Sequence, residues 1–466
     1  MQFKKILFAT YALMSAALWT PQAHAIPAFA RQVGMACNAC HYQHFPVLNS
    51  FGRAFKQSGY TIIGAQEKIE GDGLSIPSTL NLAVVTNMQY QKTNGDTTGT
   101  TPTTKNSNNG AIDMTQASLF LGGRIAENIG FVGELGMYPA PAGLASIKMP
   151  FIYDVGSAKV GVVPFTTNGL GVAHSFEVMN TGAVAVHLFN QQDMTAISAQ
   201  QYIGTASAAS GAALVVSNDM GYINFAKWSP NEMTSGNGSP TSTYLRIAAT
   251  PGNLIPGFDF AAGAQLWRGT SASAAAKAGT QITTQAACTG TSWTPIPGGG
   301  LGTCFGNFGI SPDGRLETEA TAIDAQMMGD VGGMPLTLIA SYAVAPGEPG
   351  GGAMQNMFNN DFTNATNENK RSFNMAAELG VIPNKATLQF GIRRASSGQS
   401  STVNLTNTNM TDNAILVGAT YALALNVRAE FTYSKYSGSL YNTGENAMIV
   451  GGKGNSLTTF NLWAAF

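Results

Sequence analysis

From about Leu80 onward, short stretches of the chain alternate between apolar and polar positions with a period of two. In NVRAEFTYSKYS, Val427, Ala429, Phe431 and Tyr433 share one phase, and Arg428, Glu430, Thr432 and Ser434 share the other. NKATLQFGIRR sets Ala386, Leu388, Phe390 and Ile392 against Thr387, Gln389, Gly391 and Arg393, and IGFVGELGMY sets Phe131, Gly133, Leu135 and Met137 against Glu134 and Gly136. Period two sends successive side chains to opposite faces of a sheet, so each stretch reads as a strand with one apolar and one polar face. Strands are expected near 78–92, 111–125, 129–138, 144–154, 157–166, 181–190, 212–226, 242–250, 257–268, 316–329, 334–344, 372–380, 384–394, 412–424, 425–436 and 457–466, sixteen in all.

The connections sort by length. Short turns at Ala126–Gly130, Pro251–Pro256, Asp330–Met334, Val381–Asn384 and near Leu425 are interleaved with long Gly-, Ser-, Thr- and Asn-rich loops at 93–110, 227–241, 269–313, 345–371, 395–411 and 437–456. A soluble β-sandwich with one wet face would also alternate, but short turns at one end and long loops at the other are the habit of outer-membrane barrels. The final strand, TFNLWAAF, puts Phe460, Leu462, Ala464 and Phe466 on one face, like the terminal strand by which such barrels are recognised for insertion. The expected fold is therefore mainly β, an antiparallel transmembrane barrel over 77–466. A barrel of this size encloses a lumen. One connection breaks the alternation of lengths, because residues 191–211 would form a long connection on the short-turn side.

Composition agrees. Only 11% of the 466 residues are charged, 44% are apolar and 54 are glycine, yet no apolar run is long enough for a membrane helix. Aromatic and β-branched residues are too plentiful for disorder. Residues 1–25 carry Lys4 and Lys5, an apolar run over Ile6–Trp19 and the small-x-small sequence Ala23-His24-Ala25, the pattern of a secretory signal peptide that leaves a mature chain starting near Ile26. Without those residues the formal charge is −3, and nothing points to nucleic acid. Export leads to an oxidising compartment, where Cys288 and Cys304 in the longest loop read as a disulfide; a metal site there lacks further ligands.

Residues 26–76 are different in kind, a small helical segment too short to bury a core without a staple. Cys37-Asn38-Ala39-Cys40-His41 is the attachment signature of haem c. One helical turn presents both thiols to the two vinyl groups, and the next histidine reaches the iron from the same side. A thioredoxin-like pair would need a βαβ context, and a closed zinc site needs four ligands. For the second axial position the segment offers little: Met35 is too close to the attachment turn, and His44 stays on the proximal side or faces solvent. Either the iron is five-coordinate or the barrel supplies a ligand, His187 or His174. Arg31, Arg53 and Lys56 are candidates to pair with haem propionates, Arg53 and Lys56 sharing a helix face at i and i+3. In the lumen, Glu134 and Glu430 are candidate attractors of a dication or plain pore lining.

The stretches PAFARQVG, CNACH and FPVLNSFGRAFKQSGYT resemble the fused monohaem cytochrome–porins of bacterial outer membranes, known as iron oxidases. Pro27, Phe29, Ala30, Arg31, Gln32 and Gly34 before the cysteines, and Pro46, Leu48, Phe51, Gly52, Phe55, Lys56, Gly59 and Tyr60 after them, carry the resemblance. It implies one covalent haem, on the periplasmic side of the barrel or within it, that takes an electron from an extracellular donor such as Fe(II). The electron then passes to a periplasmic cytochrome or copper protein. Two other functions remain open: a diffusion porin with a haem-bearing plug, and a haem sensor or outward conduit.

Overall fold

The computed structural model describes residues 28–64, 66–94, 110–138, 142–184, 189, 194–230, 239–272, 281–282, 292–295, 302–305, 315–347, 356–359, 368–398, 409–441 and 454–466. The expected export signal lies outside these residues, as do His187 and Cys288, half of the expected disulfide.

Among the described residues, sixteen antiparallel strands close into one barrel. They are β1 (Leu82–Thr93), β2 (Ala111–Ala126), β3 (Ile129–Tyr138), β4 (Gly143–Lys148, continued by Phe151–Val155), β5 (Ala158–Thr167), β6 (Ala209–Asn218), β7 (Gly221–Ser229) and β8 (Ser242–Ile255). The circuit continues with β9 (Phe258–Arg268), β10 (Ala320–Val331), β11 (Met334–Ala345), β12 (Lys370–Ile382), β13 (Ala386–Ser396), β14 (Asn413–Ala424), β15 (Val427–Ser437) and β16 (Ser456–Ala465). β16 pairs with β1, Phe460 opposite Tyr90 and Trp463 opposite Asn87, which leaves the barrel without an open edge. β4 is interrupted at Met149-Pro150 because proline has no N–H for the ladder; both halves still pair with β5.

The alternation falls with its apolar phase outward. Phe431 is 42% exposed and Thr432 only 2%; Leu388 is 53% exposed and Gln389 4%. This inverts the arrangement of a soluble protein, and it is stable where the outer face meets hydrocarbon and the ladder satisfies every backbone group.

One rim carries the tight turns, at 127–128, 156–157, 219–220, 256–257, 332–333, 383–385 and 425–426. The other carries the connections 94–110, 139–142, 168–208, 230–241, 269–319, 346–369, 397–412 and 438–455.

Two expected strands are wrong, and the errors cancel in the count. Residues 212–226, read as one strand, are the hairpin β6–β7, turned at Asp219-Met220 where Asn218 Oδ1 accepts from the Met220 N–H at 2.9 Å. Residues 181–190 form no barrel strand among the described residues: Thr181–Val184 and Phe189 are buried inside it. The connection 168–208 leaves the long-loop rim and folds back into the lumen, so it is not the long connection expected on the short-turn side.

The lumen is correspondingly filled along one wall. Every residue from Gly171 to Val184 is buried. Phe176 and Met179 pack on inward-facing Phe165, Tyr222 and Tyr244, with the Phe176 and Tyr222 rings 5.6 Å apart. Arg246 on β8 lies between two carboxylates, Asp324 at 2.6 Å and Glu177 of the inner segment at 3.1 Å, all without solvent contact. A buried cation needs such partners, because desolvation without them would cost several kcal/mol or more.

Candidate functional site

Two short helices, α1 (Ala28–Val33) and α2 (Ser50–Gln57), flank the cysteine segment. Between them Cys37–Ala39 makes a single 3₁₀ turn, closed by the Cys40 N–H and the His41 N–H, which donate to the Cys37 carbonyl at 3.2 and 2.9 Å. The two cysteines thus bracket one turn, with His41 directly after it. The chain then doubles back: His41 and Leu48 face each other as an antiparallel pair, flanked by Tyr42 N–H to Val47 O (2.8 Å) and Asn49 N–H to Cys40 O (2.9 Å).

α2 starts there because Asn49 caps it, accepting from the Gly52 N–H at 2.9 Å. The same side chain donates to the Ala39 carbonyl at 2.9 Å and ties the helix to the cysteine turn. Gly52 presses on that turn so closely that a Cβ would stand 2.1 Å from the Cys40 oxygen. Phe29, Phe55 and Tyr60 make the small core beneath, with centroids 5.2, 4.9 and 5.8 Å apart. Gln32 donates to the carbonyls of Tyr60 and Ile62, both at 2.7 Å. Phe29, Gln32, Gly52, Phe55 and Tyr60, all among the residues that carry the family resemblance, therefore hold this unit together.

The unit sits in the short-turn mouth and touches the wall nearly all the way round. Arg31 donates to the Leu82 carbonyl, and Gln32 accepts from the Arg124 N–H at 3.1 Å. Gly59, at φ +70°, lies so close to β4 that a Cβ would meet Ile152 at 2.8 Å. Arg53 pairs with Asp259 at 2.5 Å. Tyr42 donates to Gly329 O, and Gln43 to Pro335 O at 3.3 Å. Phe45 stacks on Trp463 at 5.2 Å. An exposed hairpin, Lys68–Gly71 with Leu74–Pro77, leads from the unit to β1.

The donor set fits haem c. Cys37 and Cys40 are half-buried and not disulfide-bonded. Burial pushes both thiols up, Cys40 to about 11 with Cys37 adding to the effect. Burial pulls His41 down to about 4, so its imidazole is neutral at pH 7, the form that ligates a metal. Its Nδ1 is buried without a well-aligned hydrogen bond, beside the backbone of Pro46 and Val47.

Other expected site residues fall elsewhere. His44 is turned from solvent to the wall: its Nε2 meets Glu378 at 2.7 Å, and Arg428 reaches its Nδ1 at 2.9 Å. Arg53 is engaged by Asp259, and Lys56 is buried near Glu177 of the inner segment. Glu430 is buried and held by Arg428 and Asn461, whereas Glu134 is half-buried beside Gln116 at 3.3 Å. His174 is buried in the inner segment, where its carbonyl accepts from Lys148 at 2.7 Å.

Residues that sequence reading missed are those brought in by the circuit of strands. Val47 is fully buried among Phe189, Ala196 and Ile197 of the inner segment. Asn180 bonds Leu48 across 132 positions. No local signal marks either contact.

No family model matches the sequence, nor does any curated protein. Among solved structures, the chain is similar to Salmonella typhi OmpF in complex with daunomycin, at 13% identity and TM-score 0.46, over 86% of this chain and 100% of that one. It is similar to OmpT of Vibrio cholerae at 8% identity and TM-score 0.43, over 83% and 99%. A triple mutant of Rhodopseudomonas blastica porin gives 9% and 0.42, over 83% and 100%.

Proposed function

We propose that the chain is an outer-membrane electron-transfer protein carrying one haem c. In this reading Cys37 and Cys40 form the two thioether anchors and His41 is the proximal iron ligand. The observation that supports it is a C-x-x-C-H turn wedged between the mouth of a closed barrel and a segment that fills part of its lumen. When bound, the haem supplies one-electron exchange. The protein does the rest. Phe45 and Trp463 shield the His41 side, Gly52 keeps α2 against the cysteine turn, and Tyr42, His44 and Arg53 hold the unit in its seat. The substrate is an external one-electron donor, Fe(II) in the first instance, and the acceptor is a periplasmic cytochrome or copper protein.

The test is a purified protein in vesicles with Fe(II) added outside. A haem absorption that becomes ferrous supports the reading. No reduction at any pH removes iron as the donor, and a processed polypeptide without the added mass of haem removes the whole proposal.

A second reading, a diffusion porin with the N-terminal unit as plug, is favoured by the half-buried polar strip Asp113, Gln116 and Glu134. A Cys40→Ala variant that conducts small solutes freely and leaves electron transfer unchanged would select it.

A further inference from the structure

We infer that Asn180, on the inner segment, is a positioning residue for the His41 side of the cysteine turn; this rests on the haem reading above. In an antiparallel pair, the N–H and C=O of one residue point alternately toward and away from the neighbouring strand. His41 and Leu48 are opposed through the bonds of their neighbours, so the polar groups of Leu48 point away from His41. Asn180 meets both. Its Oδ1 accepts from the Leu48 N–H at 2.8 Å and its Nδ2 donates to the Leu48 carbonyl at 3.0 Å.

A carboxamide is a side chain with a donor and an acceptor in the geometry of a backbone amide, so Asn180 stands in for a third strand. It is itself held: its N–H donates to Gln326 at 2.6 Å, the next residue Thr181 bonds Asp324, and Asn180 is 1% exposed. The barrel wall thus fixes Asn180, Asn180 fixes Leu48, and the Leu48 backbone fixes the strand pair that ends in His41. Adjacent Val47 is packed on the same segment and Phe45 lies 5.3 Å from the His41 ring. A shift of Leu48 is therefore passed along the strand pair toward the imidazole.

The experiment uses the full chain in detergent, with near-isosteric Asn180→Asp, which loses the donor, and Asn180→Leu, which loses both bonds. Two quantities are read: hydrogen exchange of the Leu48 amide, and the ferric and ferrous haem spectra together with the rate at which added imidazole binds. Loss of the pair of bonds should raise Leu48 exchange and imidazole binding about tenfold in Asn180→Leu, with a smaller effect in Asn180→Asp. Faster exchange with unchanged spectra and unchanged imidazole binding reduces Asn180 to a structural strut and overturns the inference, as does unchanged exchange. If the wild-type chain carries no haem, the functional reading fails, while the exchange measurement still decides whether the clamp exists.

Discussion

His44 and Glu378, 334 residues apart in sequence, meet at 2.7 Å between Nε2 and Oε1 inside the short-turn mouth. On the other side of the ring, Nδ1 lies 2.9 Å from the Arg428 guanidinium and 2.6 Å from the Phe45 carbonyl oxygen. The same Glu378 oxygen accepts from Thr387 at 2.8 Å and Gln389 at 2.9 Å. This fully buried carboxylate ties the N-terminal unit to the wall.

Removing it should free the unit without opening the barrel. Glu378→Ala removes the acceptor that His44, Thr387 and Gln389 share, at about 1–3 kcal/mol for a donor left without a partner away from water. Protease cleavage within residues 28–64 should become at least about tenfold faster. Heat-modifiable migration of the barrel should be unchanged; equal protection in both proteins would contradict the assignment.

Gly52→Ala tests the contact on the cysteine turn. The added methyl would lie 2.1 Å from the Cys40 carbonyl oxygen and 3.1 Å from Leu48, so α2 has to move away. Overpacking of this kind costs about 1–3 kcal/mol. Covalent haem recovered per mole of chain should fall, whereas Ala54→Gly, on the exposed face of the same helix, should keep wild-type loading.

Lys56 gives a pH dependence. Burial is the main cause that lowers it from 10.5 to about 7, while nearby Glu177 opposes the shift. Between those values an undocked unit carries a proton that the docked one lacks. Docking therefore weakens as pH falls from about 10.5 to about 7, and is flat below and above that window. Lys56→Met should abolish the slope and give the more protease-resistant unit at pH 7; Lys148, which faces the same cluster, stays in place in this comparison.

The lipid face answers to a different substitution. Phe431→Arg, near the middle of β15, should cost about 2–4 kcal/mol in urea unfolding from lipid vesicles, and Phe431→Leu much less. An equal effect of both would place that side chain away from hydrocarbon.

The wall was readable because the outward phase repeats an apolar demand every second residue, as at Leu388, Phe390 and Ile392. β6 and β7 merged in the reading because the turn at Asp219-Met220 is only two residues long between stretches of like composition. The inner segment was misread for a deeper reason. It is buried on all sides, so it has no polar phase, and Ala183–Val186 passes for a strand. The cysteine turn was legible because its chemistry lies within five consecutive residues. Glu378, Trp463 and Asn180 join it only through the order of strands around the circuit, which no window of sequence contains.

The seat of the N-terminal unit also dictates an order of events. Its contacts run from Leu82 through Asp259 and Gly329 to Trp463, which lies on the strand that closes the circuit against the first. That socket is complete only when the end of the polypeptide has paired with its beginning. The earliest part of the wall to be synthesised waits for the latest, and a chain stalled before closure would still carry its N-terminal unit unseated.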